Sequence, residues 1–247
     1  MRAFSMKTIF RALRQRASGM RRRVRRVLLG EQHARREVFR DIYARKSWGS
    51  DDSAPFFSGV GSRGEAAAVY VEAMSALLAE QRVTTGRPIT IIDLGCGDFQ
   101  IGKALVSRMP DMIYIGCDIV PELVVHNQAT YGDDRVSFRR IDIVADPLPK
   151  GDVCLVRQVL QHLSNADIAR FLTSLDYPCV YVTEGQPETQ SGPVNPDKTA
   201  GADVRFDWHR GIGRGLELDR PPFNLNVKEV FRAAIPGHEI IVTQRVA

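Results

Sequence analysis

Hydrophobic and polar positions follow two alternating periods along most of the chain. Short apolar runs rich in Ile, Val and Tyr are separated by stretches in which apolar residues recur every three or four positions. The first pattern is typical of buried strands and the second of amphipathic helices. Their alternation predicts an α/β domain with a mostly parallel sheet. The predicted strands are 89–93, 112–117, 135–141, 152–156, 178–183 and 239–246. The predicted helices are 31–46, 65–80, 100–108, 121–129, 165–175 (with Asn165 as its N-cap) and 226–234.

The first predicted strand, 89–93, runs into a turn that contains Gly95 and Gly97. Glycine allows a sharp turn and removes the Cβ atoms that would obstruct a ligand. Open α/β sheets bind nucleotide-like ligands at such a place, beyond the carboxyl end of a strand. The dinucleotide fingerprint needs a third glycine where Gln100 stands, so a nicotinamide cofactor is disfavoured.

Carboxylates stand at the ends of three predicted strands. Asp93 and Asp98 flank the glycine turn, where they would repel a pyrophosphate but suit a cationic ligand. Asp118 ends the second strand, where an acid accepts both ribose hydroxyls of an adenosine. Asp142 ends the third strand and is placed to receive the adenine amino group. The three strand ends predict a pocket for an adenosine that is attached to a positively charged group.

These features resemble the class I S-adenosylmethionine (SAM)-dependent methyltransferases. Residues 93–97 are similar to their first motif, Asp118 to their ribose-binding acid and Asp142-Ile143 to the pair that flanks adenine. Residues 151–163 are similar to the family's fourth strand and the following segment, which lines the methyl-transfer site. The resemblance implies a Rossmann-like fold with a mostly parallel seven-stranded sheet, helices on both faces, and SAM as the cofactor.

The resemblance extends to a bacterial small-molecule and glycan subgroup with a Ser-Gly-x-Gly-Ser segment, here residues 58–62. This segment precedes a predicted helix, and helix N-termini attract carboxylates such as that of methionine. A flexible linker is the alternative interpretation. The implied cofactor-binding residues are Ser62, Asp93, Gly95, Cys96, Gly97, Asp118, Ile119, Asp142, Ile143, Arg157 and Gln158.

Two residues are candidates for removing a proton from an acceptor hydroxyl. His162 follows the fourth strand and would act as a general base, or would pack at a helix start and orient the acceptor. Glu184 ends the fifth strand and would act as a base, bind a sugar hydroxyl or cap the loop. The polar segment 184–222 is long enough to predict a lid or a disordered loop. Its candidate acceptor-binding residues are Asn195, Asp197, Arg205, Asp207 and His209, unless they only face solvent, and the resemblance favours the first three.

Charge is distributed unevenly along the chain. The net charge is +5, but residues 1–30 hold ten of the 34 Lys and Arg residues and none of the 29 acids. The remainder has 24 basic and 29 acidic residues, a net charge of −5. Apolar residues recur at helical spacing in this basic arm, so an amphipathic helix is expected. Its partner is an anionic membrane surface, a nucleic acid, an organelle import system or none.

The sequence thus predicts three segments: the arm 1–30, a helical extension with a cofactor-covering loop at 31–88, and a methyltransferase domain at 89–247. Four cysteines without a C-x-x-C pair indicate neither a zinc site nor a disulfide framework. No metal is therefore expected. The expected location is the cytoplasm, with membrane association through the arm.

The leading functional hypothesis is SAM-dependent methylation of oxygen on a small or carbohydrate-like acceptor, because a polar lid suits hydroxylated substrates. An RNA or DNA methyltransferase that uses the arm is an alternative. The net acidic remainder and the absence of an Asn/Asp-Pro-Pro-aromatic motif after the fourth strand disfavour it. A non-catalytic SAM-binding protein is the third hypothesis. The acceptor itself is not encoded in any recognisable motif.

Overall fold

The computed structural model describes residues 30–51, 54–207, 209–235 and 240–246. The predicted basic arm lies outside these described residues, except for Gly30. No helix in the described part of the chain is long and apolar enough to cross a membrane.

The helices and strands of the described residues alternate along most of the chain. Helices α1 to α5 span Glu31–Ala44, Gly64–Thr85, Gln100–Arg108, Pro121–Tyr131 and Asn165–Thr173. Strands β1 to β5 span Thr90–Leu94, Ile113–Asp118, Val136–Arg140, Val153–Arg157 and Cys179–Gln186. Strands β6 to β10 span Thr189–Gln190, Phe206–Asp207, Ile212–Gly213, Val227–Ala234 and Ile240–Val246. Two short 3-10 helices span Val60–Ser62 and Leu160–His162.

Seven strands form one sheet in the order β3-β2-β1-β4-β5-β10-β9. The neighbours among β1 to β5 pair in parallel, whereas β10 is antiparallel to both β5 and β9. The predicted α/β class with a mostly parallel seven-stranded sheet is confirmed. Chain order reverses between β1 and β4, and ligands bind open α/β sheets at such a switch point.

Helices cover both faces of this sheet because successive residues of a strand point to opposite sides. Ile91 belongs to the buried cluster under helices α2 and α3. Its neighbour Ile92 belongs to a second cluster, which includes residues of α1 and α5. Helix α1 therefore packs as part of the core, although it precedes the first strand by many residues.

The prediction of a helix at 226–234 is wrong. Val227–Ala234 is strand β9, which pairs with β10 from Val227 opposite Val246 to Ala234 opposite Ile240. Its apolar residues do recur at helical spacing, and it contains the helix formers Lys, Glu, Arg and Ala. Antiparallel pairing with β10 outweighs this local preference, as tertiary context commonly does.

The predicted N-cap of α5 is also wrong, by one residue. The hydroxyl of Ser164 accepts a hydrogen bond from the amide of Asp167 at 3.1 Å and caps the helix. Asn165 is the first helical residue, and its backbone N–H instead donates to the carboxylate of Asp197 at 2.8 Å. Ser and Asn are about equally favoured as N-caps, so the sequence alone does not distinguish the two positions.

Candidate active site

A cavity of about 800 Å³ lies beyond the carboxyl ends of the central strands. Helix α1 and the loop around residue 60 contribute to its wall, together with the turn after β4 and part of the segment 184–222. The cavity brings together all of the cofactor-binding residues that the sequence predicted, together with His162: Ser62, Asp93, Gly95, Cys96, Gly97, Asp118, Ile119, Asp142, Ile143, Arg157 and Gln158.

The turn after β1 requires glycine for two reasons. Gly95 and Gly97 have φ angles of 83° and 55°, which other residues adopt at a cost. A Cβ atom at Gly95 would also lie 2.3 Å from a methyl group of Val159, and one at Gly97 would lie 2.3 Å from the Ser58 hydroxyl. The turn is therefore packed between the segment after β4 and the upstream loop.

Two buried carboxylates in the cavity wall have raised pKa values. Asp118 accepts hydrogen bonds from the amides of Gly97 and Val120 at 3.2 and 3.0 Å, and burial raises its pKa to about 6. Burial also raises the pKa of Asp93 to about 6, although the hydroxyl of Tyr114 donates to its carboxylate. Removal from water disfavours the charged form of each, and a cationic ligand would reverse that effect.

Asp142 is bound by an arginine from helix α1. The Arg35 guanidinium donates to its carboxylate at 2.9 and 3.1 Å, and the amide of Val144 donates at 3.0 Å. The same guanidinium donates to Asp167 at 3.1 Å, and all three acidic and basic side chains are buried. Both oxygens of Asp142 thus have partners within the protein. A contact with adenine stays a prediction, and Arg35 is a cavity residue that the sequence analysis missed.

The upstream loop, residues 58–63, is bound to the glycine turn. Ser58 exchanges two hydrogen bonds with Asp98, whose amide donates to the serine hydroxyl at 2.8 Å and whose carboxylate accepts from the serine amide at 3.1 Å. Arg63 donates to the same carboxylate at 2.6 Å, and Arg157 donates to the carbonyl of Gly61 at 2.5 Å. These contacts place the loop at the cavity, as predicted for a cofactor-covering segment.

The post-β4 turn, residues 160–163, is fixed by two charged side chains. Glu184 accepts hydrogen bonds from the amides of Leu160 and Gln161 at 2.9 and 3.2 Å. Arg205 donates to the carbonyls of the same two residues at 3.3 and 3.1 Å. Neither Glu184 nor Arg205 is among the residues that line the cavity. Their contacts fit a role in holding this turn rather than base catalysis or acceptor binding.

His162 lines the cavity as a neutral imidazole. Its Nδ1 atom lies 3.2 Å from the carbonyl oxygen of Gly201, and its ring centre is 5.1 Å from that of Trp48. Burial, and then the nearby charge of Lys198, lower its pKa to about 4. A group with so low a pKa is a weak base at neutral pH. The geometry therefore fits the orienting role better than the role of a general base.

Asn195 and Asp197 also bind the backbone instead of lining the cavity. The side chain of Asn195 donates to the carbonyls of Glu217 and Pro221 at 2.8 Å each and accepts from the Glu217 amide at 2.9 Å. Asp197 accepts from the amide of Asn165 at the start of α5. The segment 184–222 contributes other residues to the cavity lining, which are Ala202, Asp203, Val204, Phe206, Asp207 and His209.

Comparison with known proteins agrees with this geometry. A family model described as an O-methyltransferase domain matches residues 30–185, more than half of the chain. Trans-aconitate 2-methyltransferase of Methylobacterium nodulans is 31% identical over 83 residues, which is 33% of this chain and 31% of that enzyme. This chain therefore matches only about a third of the length of that relative.

Solved structures of two methyltransferases are among those that match this chain. Magnesium protoporphyrin IX methyltransferase from Synechocystis PCC 6803, with bound S-adenosylhomocysteine (SAH), has a TM-score of 0.51 at 15% identity. That match covers 86% of this chain and 98% of the other. Human N-acetylserotonin methyltransferase in complex with SAM has a TM-score of 0.45 at 16% identity, and covers 76% of this chain and 57% of the other.

The cavity fits SAM on its own chemistry. The glycine turn lines it, and the two buried carboxylates suit a ligand that carries an ammonium and a sulfonium group. Because the family model covers residues 30–185, the chain belongs to the O-methyltransferase domain family.

Proposed function

We propose that this protein methylates an oxygen atom of a small hydroxylated molecule. The observation that carries the proposal is that the glycine turn, the strand-end carboxylates and the post-β4 turn all line one cavity of about 800 Å³. Cavities that hold small ligands measure roughly 300–1,000 Å³. Cofactor and acceptor would therefore share this cavity, with the acceptor between the post-β4 turn and the segment 184–222.

The cavity residues at the ends of β1 and β2 would hold the cofactor. Asp118 and the glycine turn would hold the ribose, and Asp93 would lie near the positive charges of the methionine part. When bound, SAM supplies an electrophilic methyl group on a sulfonium that leaves as a neutral thioether. Alignment of the acceptor oxygen with that methyl group supplies most of the rate. The hydroxyl proton would pass to water, because His162 is a weak base.

The lining favours a small acceptor with an apolar part over a carbohydrate. The expectation of a carbohydrate rested on the polar segment 184–222, and Asp207 and His209 of that segment line the cavity. Its other polar candidates, Asn195, Asp197 and Arg205, bind backbone groups outside the cavity. Val204 and Phe206 from the same segment do line the cavity, as does Trp48. A hydroxylated ring or chain would be buried against these side chains, because burial of apolar surface is favourable.

The test is methyl transfer from methyl-labelled SAM by the full chain. The acceptor panel contains catechol, a flavone, glucose and total cellular RNA, and the products are identified by mass spectrometry. The proposal predicts label on a hydroxyl oxygen of a small acceptor, with an equal amount of SAH formed. Label on RNA alone would favour the nucleic-acid methyltransferase. Cofactor binding without transfer to any panel member or cell extract would favour a non-catalytic SAM-binding protein.

A further inference from the structure

The post-β4 turn carries a glutamine whose side-chain oxygen is buried and has no hydrogen-bond partner within the described part of the chain. Gln161 is 6% exposed and lines the cavity. Its carboxamide oxygen has no hydrogen-bond partner among the described residues. Buried polar atoms are nearly always hydrogen-bonded, because an unpaired one destabilises the folded protein. A buried, unpaired acceptor atom on a cavity wall indicates that a ligand completes its hydrogen bonding.

The backbone of Gln161 is held on both sides, so the residue is fixed in its place in the cavity wall. Its backbone N–H donates to Glu184 at 3.2 Å, and its backbone carbonyl accepts from Arg205 at 3.1 Å. The next carbonyl, that of His162, accepts from Lys198 at 3.3 Å and from the amide of Gly201 at 3.1 Å. This part of the cavity wall is therefore preorganised with the carboxamide in place.

The unpaired atom defines the chemistry of its ligand. A carboxamide oxygen accepts hydrogen bonds and can only be satisfied by a donor, such as a hydroxyl group. An ionised carboxylate has acceptor oxygens alone and leaves this atom unpaired. The exposed carboxylate of Asp203 also lines the cavity, and its negative charge disfavours an anion further.

We propose that Gln161 binds the methyl acceptor by accepting a hydrogen bond from its hydroxyl group, and so selects neutral hydroxylated molecules over carboxylates. The proposal rests on the proposed function of the same cavity. It makes Gln161 an acceptor-binding residue that plays no part in holding SAM. Glu184 and Arg205 act through it, as positioning residues of the turn.

The first test compares the substitution Gln161→Met with the control Gln186→Met. Gln186 is also 6% exposed, but it donates to the carbonyl of Leu216 at 2.8 Å and accepts from Gln190 at 3.3 Å, and it is absent from the cavity lining. Both changes remove a buried carboxamide at similar volume. Only the first removes one whose oxygen has no partner.

We expect Gln161→Met to raise the Tm of the ligand-free full chain by roughly 2–4 °C, because the substitution removes a buried polar atom whose lack of a partner destabilises the folded protein. Gln186→Met should lower the Tm. The Kd for SAH, measured by calorimetry, should change less than about threefold in both variants. A fall in Tm for Gln161→Met would identify a structural glutamine and overturn the proposal. A loss of SAH affinity of more than about tenfold would assign the residue to the cofactor and also overturn it.

The second test measures methyl transfer to catechol and to trans-aconitate at neutral pH. The proposal predicts faster transfer to catechol, and a fall in kcat/KM for catechol of about 10- to 100-fold in Gln161→Met, the usual cost of one lost hydrogen bond to a buried group. Preference for trans-aconitate, or an unchanged rate in the variant, contradicts it. If neither compound is methylated, the proposed function is contradicted for both compounds. The Tm comparison still decides the role of Gln161, because it is made on the ligand-free protein.

Discussion

At the scale of single residues, the cofactor site depends on buried carboxylates that carry charge at an energetic cost. The pKa values of Asp93 and Asp118 are raised from 3.8 to about 6. At a pH between 3.8 and about 6 the folded protein binds more protons than the unfolded chain. The free energy of unfolding of the ligand-free protein therefore decreases as the pH rises through this range. Two pKa units correspond to about 3 kcal/mol for each group. A cationic ligand recovers this energy.

We expect SAH affinity to rise as pH increases through about 6, because the ammonium and the ribose hydroxyls bind the ionised carboxylates. Asp118→Ala should weaken SAH binding by about tenfold or more, since a two-point acceptor is lost. The measurement is calorimetric titration at a series of pH values on both proteins. Unchanged affinity in the variant would show that the cofactor does not lie against β2.

The predicted cofactor-binding residues all line the cavity, whereas Asn195, Asp197 and Arg205 of the segment 184–222 do not. Asp93, Gly95 and Gly97 form one local motif, whose chemistry is readable from adjacent positions. Glu184 and Arg205 bind the post-β4 turn, which lies more than twenty positions away in the chain. A polar side chain that holds a distant backbone looks the same in a sequence as one that binds a substrate.

At the scale of elements, helix α1 is joined to the sheet by a buried charge cluster. Arg35 on α1 contacts Asp142 after β3 and Asp167 on α5, and the exposed fraction of each of these side chains is 6% or less. The Asp142 end of this cluster lines the cavity. Helix α1 therefore acts both as part of the core and as part of the cofactor site.

Arg35→Met should destabilise the protein by about 3–5 kcal/mol, because the buried carboxylate of Asp142 loses the counter-charge of Arg35 and that of Asp167 keeps only Arg170, at 3.8 Å. Arg40→Met on the same helix is the matched control. Arg40 pairs with Glu37 and Glu122 at the surface, where ion pairs contribute little, so no measurable loss is expected. Urea unfolding of both variants tests this. Equal unfolding midpoints for Arg35→Met and Arg40→Met would contradict a buried cluster.

Removal of Arg205 should loosen the post-β4 turn. Arg205→Met leaves the carbonyls of Leu160, Gln161 and Leu163 without this donor, and a loss of about 2–3 kcal/mol in unfolding free energy is expected. Arg210→Met serves as the control, since Arg210 is exposed on the same segment. If thermal unfolding shifts no more in Arg205→Met than in the control, the turn is held by other contacts.

The two element-level errors have a common cause. Strand β9 carries a helix-like spacing of apolar residues, and only its pairing with β10 makes it a strand. The cap of α5 depends on contacts of Ser164 and Asp197 that form in the folded chain. By contrast β1, α3 and the glycine turn between them were predicted almost to the residue, because their signals are local.

At the scale of the whole molecule, the charge separates the chain into a basic arm and an acidic remainder. We propose that residues 1–30 attach the enzyme to an anionic membrane surface. Deletion of this arm should leave SAH affinity unchanged and abolish sedimentation with phosphatidylserine vesicles, each basic residue contributing about 1 kcal/mol near such a surface. Failure of the full chain to bind these vesicles would contradict the proposal. Loss of SAH affinity on deletion would refute the division into arm and catalytic part.

We expect the cavity beside the switch point between β1 and β4 to bind SAM and no dinucleotide. Calorimetric titration of the full chain with SAH, and with NAD as the control, tests it most directly. We expect saturable binding of SAH with a Kd on the order of micromolar and no heat of binding for NAD. Binding of NAD, or absence of SAH binding at concentrations far above that range, would contradict the assignment of the site.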